Sequence, residues 1–118
     1  MSKVRFRHAA DDEWTAVGDV ERKIHYRQED CLELFEIRAG AGYTTPLHAH
    51  PEDEVIVVLS GSIRLGAQVC EPGASVLVPK DTPYRFVAGD EGCHYLNFRP
   101  RPAGMLVGDE LRRSRDHR

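Results

Sequence analysis

The sequence predicts an all-β fold, a sandwich or barrel of antiparallel strands in one small domain, and three observations predict it. Gly- and Pro-containing turn signals recur roughly every 8–12 residues between short apolar runs. The runs are rich in β-branched residues, which suit a pleated, half-buried surface. No segment before the C-terminal tail carries a helical period. A chain of 118 residues is expected to form one domain.

Residues 1–29 are polar and mixed, with Trp14 as an anchor, and read as an arm that packs on the barrel or on a partner subunit. The barrel is expected over residues 30–102. Its first strand candidate is Cys31 to Arg38, ended by Gly40-Ala41-Gly42. Val55 to Leu59 is a β-branched run that reads as a buried strand, followed by a turn at Ser60-Gly61-Ser62. Ile63-Arg64-Leu65 and Gln68-Val69-Cys70 flank Gly66, the pattern of a tight hairpin. Ser75 to Val78, Tyr84 to Val87 and His94 to Phe98 follow, each after a turn rich in Pro or Gly. Pro100 to Pro102 end the sheet region, and residues 103–118 form a charged tail, read as a frayed, solvated end.

Composition excludes several classes. Hydrophobic residues make up 41% and charged residues 30%, which is too apolar for a disordered chain. The longest apolar run is far shorter than the roughly 20 residues of a membrane helix, and the N-terminus has no apolar signal-peptide core. A net charge of −3 with dispersed basic residues gives no footprint for nucleic acid. The expected location is cytoplasmic, and the three cysteines, Cys31, Cys70 and Cys93, without CxxC spacing, read as reduced structural thiols.

The chemistry concentrates in the segment from Gly42 to Glu54. On an extended backbone His48 and His50 point to the same face, with Cα atoms roughly 6–7 Å apart. Two imidazoles at that spacing can converge on one ion about 2.0–2.1 Å from each nitrogen, with zinc as the guide. Pro51 interrupts the strand, and the Glu54 carboxylate can return to the same face at the start of the next one. Ile56 and Val58 would follow it inward as an apolar wall. Glu52 and Asp53 read as solvated turn residues.

Gly42, His48, His50, Glu54 and Gly61 together resemble the first motif of the cupin superfamily: a glycine, five residues, HxH, three or four residues, glutamate, six residues, glycine. The resemblance extends over about residues 30–100. It implies a single small jelly-roll β-barrel, commonly a homodimer, with a divalent metal held inside by His48, His50 and Glu54. The second motif is only partly present. Gly73 and Pro79 match, but Asp81 stands for a glycine, Tyr84 for the usual histidine ligand and Ala88 for an asparagine. Tyr84 has three readings: a core aromatic, a hydroxyl that contacts substrate or a neighbouring ligand, or a phenolate bound to the metal. His94 is a weaker candidate for the fourth position and reads as a structural histidine.

Two histidines and one carboxylate with open positions suit non-haem Fe(II) oxygen chemistry, while Zn, Mn, Ni and Cu also accept such ligands. The expected function is therefore a metal-dependent oxidoreductase of the dioxygenase type acting on a small organic molecule. The alternatives are a non-redox lyase or isomerase with Tyr84 as acid or base, and a non-enzymatic binding or sensing module. No nucleic-acid or membrane partner is expected.

Overall fold

Strand alternation sorts the chain into an inner and an outer face. The computed structural model describes residues 3–11, 13–27 and 31–108. Among them there is no helix, and seven strands form one antiparallel sheet: β1 (Trp14–Val17), β2 (Val20–Arg27), β3 (Glu33–Ala39), β4 (Glu54–Leu65), β5 (Gln68–Cys70), β6 (Ser75–Val78) and β7 (Val87–Arg99). The spatial order is β1-β2-β3-β7-β4, and β4 carries β6 and β5 on its other edge. The last strand thus inserts between β3 and β4, which are consecutive in the chain but do not pair with each other.

On β4, Glu54, Ile56 and Val58 are buried, while Val55 and Val57 turn outward. On β7 the inward residues are Tyr95, Asn97 and Arg99; on β3 they are Glu33, Phe35 and Ile37. Ile37, Ile56, Val58, Ile63, Phe86 and Tyr95 form the apolar core. Full burial of one such aliphatic side chain contributes roughly 1.5–3 kcal/mol.

The opposite wall is built from looser pairings. His48 and Tyr84 exchange backbone hydrogen bonds of 3.0 and 2.8 Å, and Ala49 and Leu106 exchange bonds of 3.0 and 2.7 Å. Tyr84 to Phe86 therefore lie beside the histidine segment as isolated bridges, and only Val87 belongs to a strand. The sheet does not close on itself through regular ladders, and these bridges give a jelly roll its second layer.

Two glycine positions of the motifs have clear reasons, one filled by Gly61 and the other by Asp81. Gly61 has φ +67°, and a Cβ there would sit 2.1 Å from the Gly92 carbonyl oxygen, where β4 and β7 shift register. Asp81 holds φ 59°, a left-handed conformation at a position the resemblance gives to glycine. Its amide donates to the His50 carbonyl oxygen over 2.7 Å, so the strained turn anchors the histidine segment.

The N-terminal region differs from the expected arm. Residues Trp14–Val17 and Val20–Arg27 are strands of the same sheet, and β2 pairs with β3 along its length. Two strands of the sheet therefore precede the expected boundary at residue 29. The polar run Glu21-Arg22-Lys23 hides the strand because Lys23 is buried on the outer face, where its Nζ donates to the His8 carbonyl oxygen over 3.0 Å. At the other end, residues 103–108 return to the barrel; the rest of the expected tail lies outside the described residues. Cys70 and Cys93 are buried free thiols, and burial pushes the Cys93 thiol up to about 11.

Candidate active site

His48, His50, Glu54 and Tyr84 come together at one end of the barrel interior. The His48 and His50 rings lie 5.0 Å apart, and the Tyr84 ring lies 4.3 Å from that of His48. Extended backbone puts the two imidazoles on one face, and the Pro51 turn brings Glu54 back to them at the start of β4.

Hydrogen bonds fix both imidazole tautomers. The His48 Nδ1–H donates to the Pro46 carbonyl oxygen over 2.7 Å, and the His50 Nδ1–H donates to the Gly104 carbonyl oxygen over 2.8 Å. A carbonyl only accepts, so each proton sits on Nδ1 and each Nε2 offers a lone pair. Burial lowers both histidine pKa values, with Arg99 adding to the effect at His50, so the neutral form is favoured. Neutral imidazoles with Nδ1–H bound to backbone and Nε2 free are the form that metal sites use.

Glu54 is held on both oxygens. The Tyr84 hydroxyl donates to Oε1, and Arg99 donates to Oε2 from Nε at 2.9 Å and from Nη2 at 2.6 Å. Arg99 Nη2 also donates to His50 Nε2 over 3.1 Å, and Nη1 donates to Glu33. Burial alone would raise the Glu54 carboxyl; Arg99, His50 and the Tyr84 hydroxyl hold it below the usual range. Burial and the Glu54 charge push the Tyr84 phenol far above its usual value, so it stays a protonated donor.

Register explains this network. Arg27 pairs with Glu33, Glu33 pairs with Arg99, and Glu54 precedes Val55, whose partner is Phe98. Four adjacent strands thus present the alternating row Arg27, Glu33, Arg99, Glu54 on the inner face. The Arg27 Nε lies 2.9 Å from Glu33 Oε2. Sequence reasoning missed Arg99 and Glu33. The available signal was a buried-parity charge at each end of two strands, readable only once the strand order is known.

The donor chemistry fits a divalent ion at the two Nε2 lone pairs, with the Glu54 carboxylate beside them; His50 Nε2 lies 3.5 Å from Glu54 Oε2. As they stand, no three His, Cys, Asp or Glu groups among the described residues form a metal cluster, and Arg99 is hydrogen-bonded to both the Glu54 carboxylate and the His50 imidazole. His94 lies elsewhere. With His25 it flanks Glu36 on the outer face, at 2.7 and 2.6 Å. A cavity of about 260 Å³ opens beside the site, walled by Phe35, Tyr43, Phe86 and Tyr95.

The fold is shared with solved structures of low sequence similarity. KdgF from Halomonas sp. superposes with a TM-score of 0.74 at 21% identity, covering 85% of this chain and 96% of that one. The polyketide cyclase RemF from Streptomyces resistomycificus gives 0.75 at 20% identity, covering 92% and 90%. An acetylacetone dioxygenase from Acinetobacter johnsonii gives 0.78 at 6% identity, covering 93% and 83%. No curated protein sequence matches the chain. The cupin-domain family model matches residues 33–98, more than half of the sequence, from the start of β3 to the next-to-last residue of β7. With the inward HxH and glutamate on a jelly-roll sheet, that match makes the chain a member of the cupin superfamily.

Proposed function

We propose that this cupin is a metal-dependent enzyme of the dioxygenase type, acting on a small organic molecule held in the barrel. The carrying observation is the pair of imidazoles locked by backbone carbonyls with both Nε2 lone pairs free for a ligand or, at His50, held by a displaceable donor. His48, His50 and Glu54 would hold the ion. Fe(II) suits this ligand set with vacant positions for substrate and O₂, and Zn, Mn, Ni or Cu would instead supply Lewis-acid chemistry or other redox states.

The chain's own residues do the rest. The aromatic walls exclude water and bind an apolar substrate body. Tyr84 orients Glu54 and keeps its proton, so it acts as a positioning donor. Arg99 neutralises two carboxylates that would otherwise repel across the site.

The test is metal analysis of protein purified without chelator or affinity metal, followed by O₂ uptake after Fe(II) loading with a β-diketone, a catechol and a thiol. Stoichiometric metal with substrate-dependent O₂ uptake is the expected result. Metal content without O₂ uptake for any of the three would overturn the dioxygenase reading.

A non-redox lyase or isomerase is the second reading, favoured by the Tyr84 hydroxyl that lines the cavity and is bonded to Glu54, a pair placed to relay a proton to or from substrate. Tyr84→Phe separates the two: here it abolishes turnover with metal retained, whereas a positioning role leaves measurable turnover.

A further inference from the structure

The cavity wall carries a polar set that the metal-ligand motif does not use. Arg22 of β2 pairs with Ile37, whose side chain is in the core, so it faces inward and lines the cavity. Its Nε is fully buried and has no hydrogen-bond partner, and no ion pair to Arg22 exists among the described residues. Asn97 of β7 is only 4% exposed, lines the same cavity, and has an unpartnered buried Oδ1.

Charge completes the picture. Three guanidinium groups line the cavity, those of Arg22, Arg27 and Arg99. Two buried carboxylates, Glu33 and Glu54, answer Arg27 and Arg99. One positive charge is left over, and it is the one on Arg22. An unpaired guanidinium with a desolvated N–H is costly, and a planar carboxylate is its natural partner. Of the lining hydroxyls, Tyr84 is bonded to Glu54 and Thr45 accepts from the Phe86 amide, while Tyr43 and Tyr95 stay protonated because burial raises both. They add hydrogen-bonding capacity but no negative charge.

We propose that Arg22 is the specificity determinant of this cavity and that the ligand is a small organic monocarboxylate. Its carboxylate pairs with Arg22, its apolar or aromatic body lies along Phe35, Phe86 and Tyr95, and Asn97 accepts from a hydroxyl or N–H where the ligand carries one. At about 260 Å³ the cavity has the room of roughly nine liquid-water volumes, so the ligand is small. This rests on the reading of the barrel as a small-molecule site but not on the metal.

The experiment is calorimetric titration of the whole protein with benzoate and hexanoate, each against its neutral amide, benzamide and hexanamide. The wild type should bind at least one carboxylate roughly tenfold or more tighter than its amide. Arg22→Gln should erase that preference at unchanged metal content and with no loss of melting temperature, since the unpaired charge is itself costly, and Arg22→Lys should keep part of it. Failure of both carboxylates to bind in preference to their amides, or a preference that survives Arg22→Gln, would overturn the proposal. A His48→Ala/His50→Ala variant separates the two readings: it should lose any metal and keep the carboxylate preference.

Discussion

Replacing Arg99 by methionine removes the one cation between Glu33 and Glu54, which are 0% and 1% exposed. The stem volume is kept, so the loss is electrostatic. Taking one partner from a buried ion pair costs about 3–5 kcal/mol, because the remaining charge is left uncompensated. Arg27 still reaches Glu33 at 2.9 Å, but among the described residues no other guanidinium or ammonium pairs with Glu54. The expected loss is therefore in that range and not double it. For a chain of this size, at about 4 °C per kcal/mol, the melting temperature should fall by about 12–20 °C. Differential scanning calorimetry without metal measures it, with urea unfolding to check that the m-value is unchanged. Adding Glu54→Gln to the variant should restore most of the loss, since a neutral amide needs no counter-charge. Divalent metal should also raise the melting temperature of Arg99→Met more than that of wild type, because the ion no longer competes with a guanidinium for Glu54 and His50. A fall below about 4 °C, or one that Glu54→Gln does not relieve, would refute the reasoning.

Other expectations follow from the same contacts. His48→Ala/His50→Ala should abolish bound metal as measured by elemental analysis, and Glu54→Gln should reduce it. Tyr84→Phe leaves Glu54 Oε1 without its buried donor and should cost about 1–3 kcal/mol in urea unfolding while metal is retained. Burial alone would raise the Glu36 carboxyl, but bonds from His25 and His94 hold it below the usual value of 4.5. The folded carboxyl is then the stronger acid, so its stabilisation is complete above pH 4.5 and is lost as pH falls below that; Glu36→Gln should flatten this part of the acid unfolding curve. The outer face presents an apolar row in register, Leu34, Phe98, Val55 and Leu77, with Leu77 68% exposed. A homodimer formed on that row should dissociate in Leu77→Asp, read by light scattering after size exclusion.

The legible part of the site is local in sequence. His48, His50 and Glu54 lie within seven residues, and alternation plus one proline turn is enough to converge them. Tyr84 was marked by the position it occupies in the second motif. Arg99 was not legible: it is 45 residues from Glu54 and 66 from Glu33, and their contact needs β7 inserted between β3 and β4. Strand pattern found β5 and β6 at their observed bounds because turns punctuate both ends. It missed β1 and β2, whose inward Arg22 and outward buried Lys23 invert the usual apolar-in, polar-out signal.

The row Arg27, Glu33, Arg99, Glu54 also acts as a proofreader of assembly. If β7 slipped by one residue between β3 and β4, Phe98 would turn inward and Arg99 would face water. Glu54 would then be buried against a phenyl ring with no cation to answer it, and Glu33 would keep only Arg27. An apolar sheet could absorb such a slip by repacking; this one meets it with a stranded charge. The candidate site is therefore also a place where a misaligned barrel is penalised, so mutations that relax the charge row should be read for heterogeneity of the folded state as well as for loss of function.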